Sequence, residues 1–209
     1  MNDEAAARRN ILWIDGAGAW LVCLHSPITI GQASGESSPV DIPLLADVSR
    51  IHATLTREDE SWLVESTRDM TVNDRPTGRS VLKTGDRLRL GTCDLTFSLP
   101  VPGSLSGVLK IENGRRLPMA VQGVLLMADM LVLGTGDKVH APLPGVAQPV
   151  YLFRQKDRLG IRWPGPFTID GEPVRDRAML PAEGCVASAE FSFAIEALHR
   201  NADSTPGRR

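Results

Sequence analysis

Short segments dominated by apolar residues, or alternating apolar with polar, recur along this chain at close intervals, and none sustains a helical period. Residues 19–24 (Ala-Trp-Leu-Val-Cys-Leu), 52–56, 61–65, 87–90 and 94–99 are all of this kind, mostly rich in apolar, β-branched or aromatic side chains. Turn-forming residues punctuate them: Glu58-Asp59-Glu60, Asn73-Asp74 and Thr84-Gly85-Asp86. Only the first ten residues and short pieces elsewhere have helical character. Many short strands separated by turns predict an all-β chain built as a sandwich or barrel, and 19 Gly and 15 Pro supply the turns that such a fold needs.

The pattern also repeats. Leu131-Val132-Leu133-Gly134 echoes Ile28-Thr29-Ile30-Gly31, and Phe167-Thr168-Ile169-Asp170-Gly171-Glu172-Pro173 echoes Met70-Thr71-Val72-Asn73-Asp74-Arg75-Pro76. Residues 190–195 match 94–99 in character, as a closing strand. Self-similarity on this scale predicts two tandem β-sandwiches of one fold. The expected division is an N-terminal extension at 1–10, a first sandwich at 11–100, a linker at 101–107, a second sandwich at 108–198 and a disordered tail at 199–209. Aligned through Gly134 and Phe167, Ala147-Gln148-Pro149-Val150 falls opposite Ser49-Arg50-Ile51-His52, so the second copy lacks the hydroxyl, guanidinium and imidazole of the first.

Composition narrows the function classes. A formal net charge of -2 and a pI near 6.1 give no global attraction to nucleic acid or to an anionic membrane, so neither is expected as a partner. The longest apolar stretch, 121–133, is too short to cross a bilayer and contains Gln122 and Asp129. Asp15 interrupts the apolar run after Arg8-Arg9, which argues against a signal peptide, and the cytoplasm is the expected location. Cys23, Cys93 and Cys185 are far apart and read as buried thiols not bridged by disulfides. The tryptophans, Trp13, Trp20, Trp62 and Trp163, read as core residues. His25, His52, His140 and His199 have no metal-ligand spacing, Gly134-Thr135-Gly136 lacks the rest of a nucleotide-binding fingerprint, and there is no nucleophile elbow. No enzyme, cofactor or metal is expected.

One loop concentrates the chemistry. Asp47-Val48-Ser49-Arg50-Ile51-His52-Ala53 places a hydroxyl and a guanidinium side by side between two strands, a donor set suited to an oxyanion. Singly, Ser49 reads as a turn cap, Arg50 as a surface cation and Asn73 as a turn former. Context gives Ser49 and Arg50 a ligand-binding role, while Asn73 stays a turn former.

Three stretches, Gly31-Gln32, Ser49-Arg50-Ile51-His52 and Ser66-Thr67-Arg68-Asp69-Met70-Thr71-Val72-Asn73-Asp74, resemble in order and spacing the forkhead-associated (FHA) family pattern of Gly-Arg, Ser-x-x-His and Ser-x-Asn-Gly-Thr-x-x-Asn-Gly. Residues 82–91 look like the family's closing hairpin, so the resemblance covers roughly 11–100 and extends to 108–198 through the internal repeat. It implies two tandem FHA-like sandwiches, the second degenerate, and an adaptor whose first copy binds phosphothreonine in a protein or peptide. It further implies that Ser49, Arg50, Gln32, Thr67 and Arg68 form the phosphopeptide surface, while Gly31, His52 and Asn73 shape the loops. The sequence departs from the pattern where Gln32 replaces Arg, Arg68 replaces Asn, and Asp69-Met70 replaces Gly-Thr. A charge-assisted hydrogen bond contributes roughly 1.5–3 kcal/mol, so Gln32 in place of Arg costs about tenfold to a hundredfold in affinity. These departures keep open an alternative, a phosphate-independent protein-interaction scaffold.

Overall fold

In a computed structural model, residues 9–34, 39–112 and 117–198 are described. They form twenty strands and no helix, so among them there is no helix long and apolar enough to cross a membrane. The chain is all-β, and the strands read from the sequence match observed ones to within two residues at either end. Residues 1–8 of the expected extension and the expected tail at 199–209 lie outside the described residues. Arg9 and Asn10, expected in the extension, instead open the first strand.

The first half holds β1 (Arg9–Ile14), β2 (Gly18–Cys23), β3 (Ile28–Gln32), β4 (Ile42–Leu44), β5 (Ala53–Glu58), β6 (Ser61–Glu65), β7 (Met70–Val72), β8 (Arg75–Pro76), β9 (Arg79–Leu82), β10 (Arg87–Leu90) and β11 (Cys93–Ser98). The second holds β12 (Gly107–Ile111), β13 (Val121–Leu126), β14 (Met130–Gly134), β15 (Ala141–Pro142), β16 (Val150–Gln155), β17 (Arg158–Ile169), β18 (Glu172–Met179), β19 (Glu183–Ala187) and β20 (Ser192–Leu198). A five-stranded sheet runs β4-β3-β5-β6-β9. The larger sheet runs β15-β14-β16-β17-β19-β20-β1-β2-β13-β12-β11-β10-β7-β8, with β18 paired to β17.

At the centre of the larger sheet β2 and β13 lie parallel, with Leu21 beside Val124 and Cys23 beside Leu126. The strand order mirrors itself about this pair. β1 pairs with β20, placing Leu12 opposite Ile195, and β12 pairs with β11, placing Leu109 opposite Phe97. The last strand of each half is therefore completed by the first strand of the other.

Burial follows from this exchange. An ordinary sandwich strand alternates buried and open positions, as β5 does. In β2, Ala19 through Cys23 are all buried because a core lies on each face of the strand. Leu21 and Cys23 point into the core of the first half, while Trp20 and Val22 point into that of the second. β13 divides its side chains the same way, Val124 and Leu126 to the first core and Leu125 to the second. The segment 101–107, expected to be a linker, is fastened from both sides. Trp62 Nε1 donates to the Leu105 carbonyl at 2.7 Å, and the buried Ser106 hydroxyl donates to the Met130 carbonyl at 2.6 Å.

Two local geometries recur. The Thr29 N–H donates to Asp41 Oδ2 and the Asp41 N–H to the Thr29 carbonyl, while the Val132 N–H donates to His140 Nδ1 and the His140 N–H to the Val132 carbonyl. Asn73 and Asp170 both have positive φ, and each side chain accepts from the backbone N–H of a neighbouring strand, Arg87 and Cys185 respectively. Strand pairing sets Ile30 against Ala53 and Leu133 against Val150. By this pairing the expected partner of Ser49 shifts by one residue from Ala147 to Val146, and that of His52 from Val150 to Pro149.

Two burial expectations are corrected. Trp13 lies on the outer face of β1, 42% exposed, with Nε1 donating to Glu196. Cys185 is exposed, whereas Cys23 and Cys93 are buried.

Candidate functional site

Three loops meet at one end of the first half, and a single imidazole ties two of them. Near the end of β3 lies Gly31, where a Cβ would stand 2.2 Å from the Arg50 carbonyl oxygen, so this crossing of backbones requires glycine. The next residue, Gln32, donates its N–H to the Ser49 carbonyl at 3.0 Å. The His52 N–H returns to the Ile30 carbonyl at 2.8 Å. His52 Nδ1 accepts the Ser49 N–H at 3.1 Å, which leaves Nε2 carrying the ring proton, and Nε2 donates to the Asp69 carbonyl at 2.9 Å. Ser66 adds a second tie by donating its hydroxyl to the His52 carbonyl at 2.5 Å and accepting the Arg68 N–H at 3.0 Å.

The far side of the 45–52 loop is also pinned. The Asp47 N–H donates to Thr92 Oγ1 at 3.1 Å, Val48 is buried in the first core, and Gly91 passes so close that a Cβ there would lie 2.2 Å from the Asp47 carbonyl. Sequence reading did not single out Ser66, Gly91 or Thr92 as site residues. Ser66 and Gly91 lie inside the motif stretches, but nothing local marks Thr92 as a partner of a loop 45 residues earlier.

The predicted surface residues project from this scaffold. Gln32, Arg50, Thr67 and Arg68 are exposed and Ser49 is half-buried. Among the described residues no carboxylate lies within 4.0 Å of Arg50 or Arg68. Two nearby guanidiniums are compensated. Arg79 pairs with Glu58 and Glu65, and Arg89 holds Asp94 through two hydrogen bonds of 2.6 and 3.2 Å, which depress the Asp94 pKa. An open cleft of about 780 Å³ runs beside the 66–69 loop, lined in part by Thr67, Arg68, Thr71, Thr77 and Arg89. Asn73 is not part of this group. It shapes the β7–β8 turn, donating to Asp86 Oδ1 at 2.8 Å and accepting the Arg87 N–H at 3.0 Å.

A buried polar cluster fixes the start of β4, the strand that leads into the 45–52 loop. Asp41 accepts from the Thr29 N–H and hydroxyl, both at 2.8 Å, and its other oxygen lies 3.4 Å from His25 Nε2. Burial disfavours its charge, but the hydrogen bonds from His25 and Thr29 outweigh that and hold the carboxyl well below the usual range. Arg9 on β1 donates to the carbonyls of Val40 and Asp41 at 3.2 and 3.1 Å. Burial drives the neighbouring Cys23 thiol well above its ordinary pKa. Among the described residues no group of three or more His, Cys, Asp or Glu side chains is arranged to hold a metal.

The family model of the FHA domain matches residues 28–91, the stretch from β3 through the loops tied by His52 to Gly91. Among solved structures, the FHA-2 domain of the Mycobacterium tuberculosis ABC transporter Rv1747 is 25% identical, covering 42% of this chain and 75% of its own, with a TM-score of 0.33. The FhaA FHA domain complexed with the intracellular domain of Rv3910 is 26% identical, covering 41% of this chain and 94% of its own, at a TM-score of 0.31. No curated protein matches the chain.

Proposed function

We propose that the first half is a phosphothreonine reader and the second half its structural companion, together forming an adaptor that docks onto a phosphorylated protein. The observation that carries this reading is the His52 bridge. By holding the Ser49 N–H and the Asp69 carbonyl at once, the ring keeps in register the two loops that carry Ser49, Arg50, Thr67 and Arg68. A phosphate ester near neutral pH carries about -1.5 to -2 charges and three acceptor oxygens. The hydroxyls of Ser49 and Thr67, the amide of Gln32 and the guanidiniums of Arg50 and Arg68 are donors of the kind it needs. An unmodified threonine gives those two cations nothing to neutralise, which is the physical basis of discrimination.

The second half supports the companion role by what it lacks. The two recurring hydrogen-bond geometries and the mirrored strand order favour an origin of both halves in one duplicated fold. At the positions of Ser49 to His52 it carries Val146, Ala147, Gln148 and Pro149, none of which presents a hydroxyl or a cation. The corresponding loop therefore lacks the hydroxyl and the cations of the first, and the recurring geometry serves packing.

Calorimetric titration with matched phosphothreonine and threonine peptides tests the reading. The expected result is binding that requires the phosphate and weakens at least tenfold in Ser49→Ala and in Arg50→Ala. Gln32, which supplies an amide where a cation would bind phosphate more strongly, favours the alternative of a phosphate-independent scaffold. Equal affinity for both peptides, insensitive to Ser49→Ala, would establish that alternative.

A further inference from the structure

The outer face of the second half carries a row of cations set against aromatic rings. Along β17, Leu159, Ile161 and Trp163 enter the second core, so Arg158, Gly160 and Arg162 face the other way. The ladder sets Arg162 between Tyr151 on β16 and Arg177 on β18, and Gly160 between Phe153 and Met179. Arg158 lies opposite Gln155. Gly160 shapes this surface. A Cβ there would stand 2.2 Å from the Phe153 ring, so only glycine lets that ring lie across the strand. The Arg177 guanidinium covers the ring at 4.0 Å from its centroid, and the Arg162 guanidinium lies 5.1 Å from the Tyr151 centroid.

Arg162 and Arg177 are direct cross-strand neighbours, an arrangement in which like charges repel. Among the described residues no carboxylate lies within 4.0 Å of Arg158, Arg162 or Arg177. Asp176 borders the face, lining a cavity of about 330 Å³ together with Tyr151 and Arg162, but it pairs with none of the three.

We propose that this face binds an acidic stretch, rich in Asp or Glu, of a partner protein. It uses none of the residues of the phosphothreonine reading and gives the second half a contact of its own. Charge complementarity carries it. A carboxylate between Arg162 and Arg177 relieves their repulsion and accepts from guanidiniums that the rings have already oriented. Arg158, on the same face of β17, extends the row by roughly 13 Å along the strand. That length suits successive carboxylates of an extended chain better than one small anion. Single-stranded nucleic acid binds by stacking its bases on bare aromatic faces, and here guanidiniums occupy those faces.

Fluorescence anisotropy of a labelled oligoglutamate peptide titrated with the full chain tests this, with oligoglutamine and oligothymidine as comparisons. Oligoglutamate is expected to bind more tightly than either, and to weaken as salt is added. Replacing both arginines, Arg162→Gln with Arg177→Gln, is expected to cost about tenfold, the scale of two exposed charge pairs. Both positions are exposed, so the urea midpoint should stay at that of the parent. Arg177→Lys keeps the charge but loses the planar contact with Phe153 and the fork of donors, and is expected to weaken binding severalfold. A merely diffuse positive surface would not register that change. Ser49→Ala is expected to leave oligoglutamate binding unchanged, so a failure of the phosphothreonine reading is registered separately. No binding of oligoglutamate, tighter binding of oligothymidine, or full affinity in the double variant or in Arg177→Lys overturns the proposal.

Discussion

Leu152→Ala, made deep in the second half, is expected to destabilise the first half by the full amount of its effect. Leu152 is fully buried on β16 between Leu131 and Ile161, far along the sheet from the first core. Truncating a buried leucine to alanine costs about 2–5 kcal/mol, and a chain of this size loses roughly 2–4 °C of Tm per kcal/mol, so a drop of about 7–14 °C is expected for a mid-range value. Whether the first half feels it depends on the shared strands. Unfolding the second half alone would leave β2, β12 and β13 in place but strip the cover from Trp20, Val22, Leu24, Val108, Leu125 and Met127, all of which line the second core. At roughly 1.5–3 kcal/mol per large apolar side chain, that exposure amounts to about 9–18 kcal/mol, at least as large as the whole stability of an ordinary domain. A half-unfolded state is then not populated. The assay is urea unfolding read by Trp62 fluorescence, after Trp13, Trp20 and Trp163 are replaced by Phe. Trp20 and Trp163 have buried ring N–H groups without a hydrogen-bond partner, so these two replacements lose no hydrogen bond. The Trp62 midpoint should fall together with the far-ultraviolet signal. If the far-ultraviolet signal splits into two transitions and Trp62 follows only the unshifted one, the shared-strand reasoning is wrong.

Gly31→Ala places a methyl group 2.2 Å from the Arg50 carbonyl, so the 49–51 loop must move; phosphopeptide affinity should drop at least tenfold, and an unchanged titration would refute the close approach. His140 is buried, and desolvation lowers its pKa from 6.5 to about 4. In that interval the unfolded chain binds a proton that the folded chain refuses, so this contribution is intact above about pH 6.5 and drains away as pH falls, by up to roughly 1.4 kcal/mol per unit. His140→Asn keeps an acceptor for the Val132 N–H and should flatten the urea midpoint between pH 6.5 and 4.5; identical slopes in both proteins would refute the assignment. Native protein treated with a thiol reagent should modify Cys185 rapidly and Cys23 and Cys93 only on unfolding, a pattern readable by intact mass.

Strand content, the positions of most strands, and the loop that gathers Ser49, Arg50 and His52 are legible in the order of residues. These are local properties. Side-chain alternation, turn residues such as Asn73 and a glycine at position 31 act over a few neighbours and leave their mark in the order of residues. Sequence also revealed that the loop's chemistry occurs in one half and not in the other. Which strands complete which core is set by long-range pairing across the sheet. Nothing in residues 9–14 marks β1 as the partner of β20, because an apolar strand pairs equally well with either closing strand until the whole sheet is assembled. The unbroken apolar run of β2 held the one clue, since a strand buried on both faces must serve two cores. The same long-range pairing placed Thr92 under Asp47. Contacts between residues tens of positions apart are fixed by the closure of the sheet and leave no pattern in the neighbours of either residue.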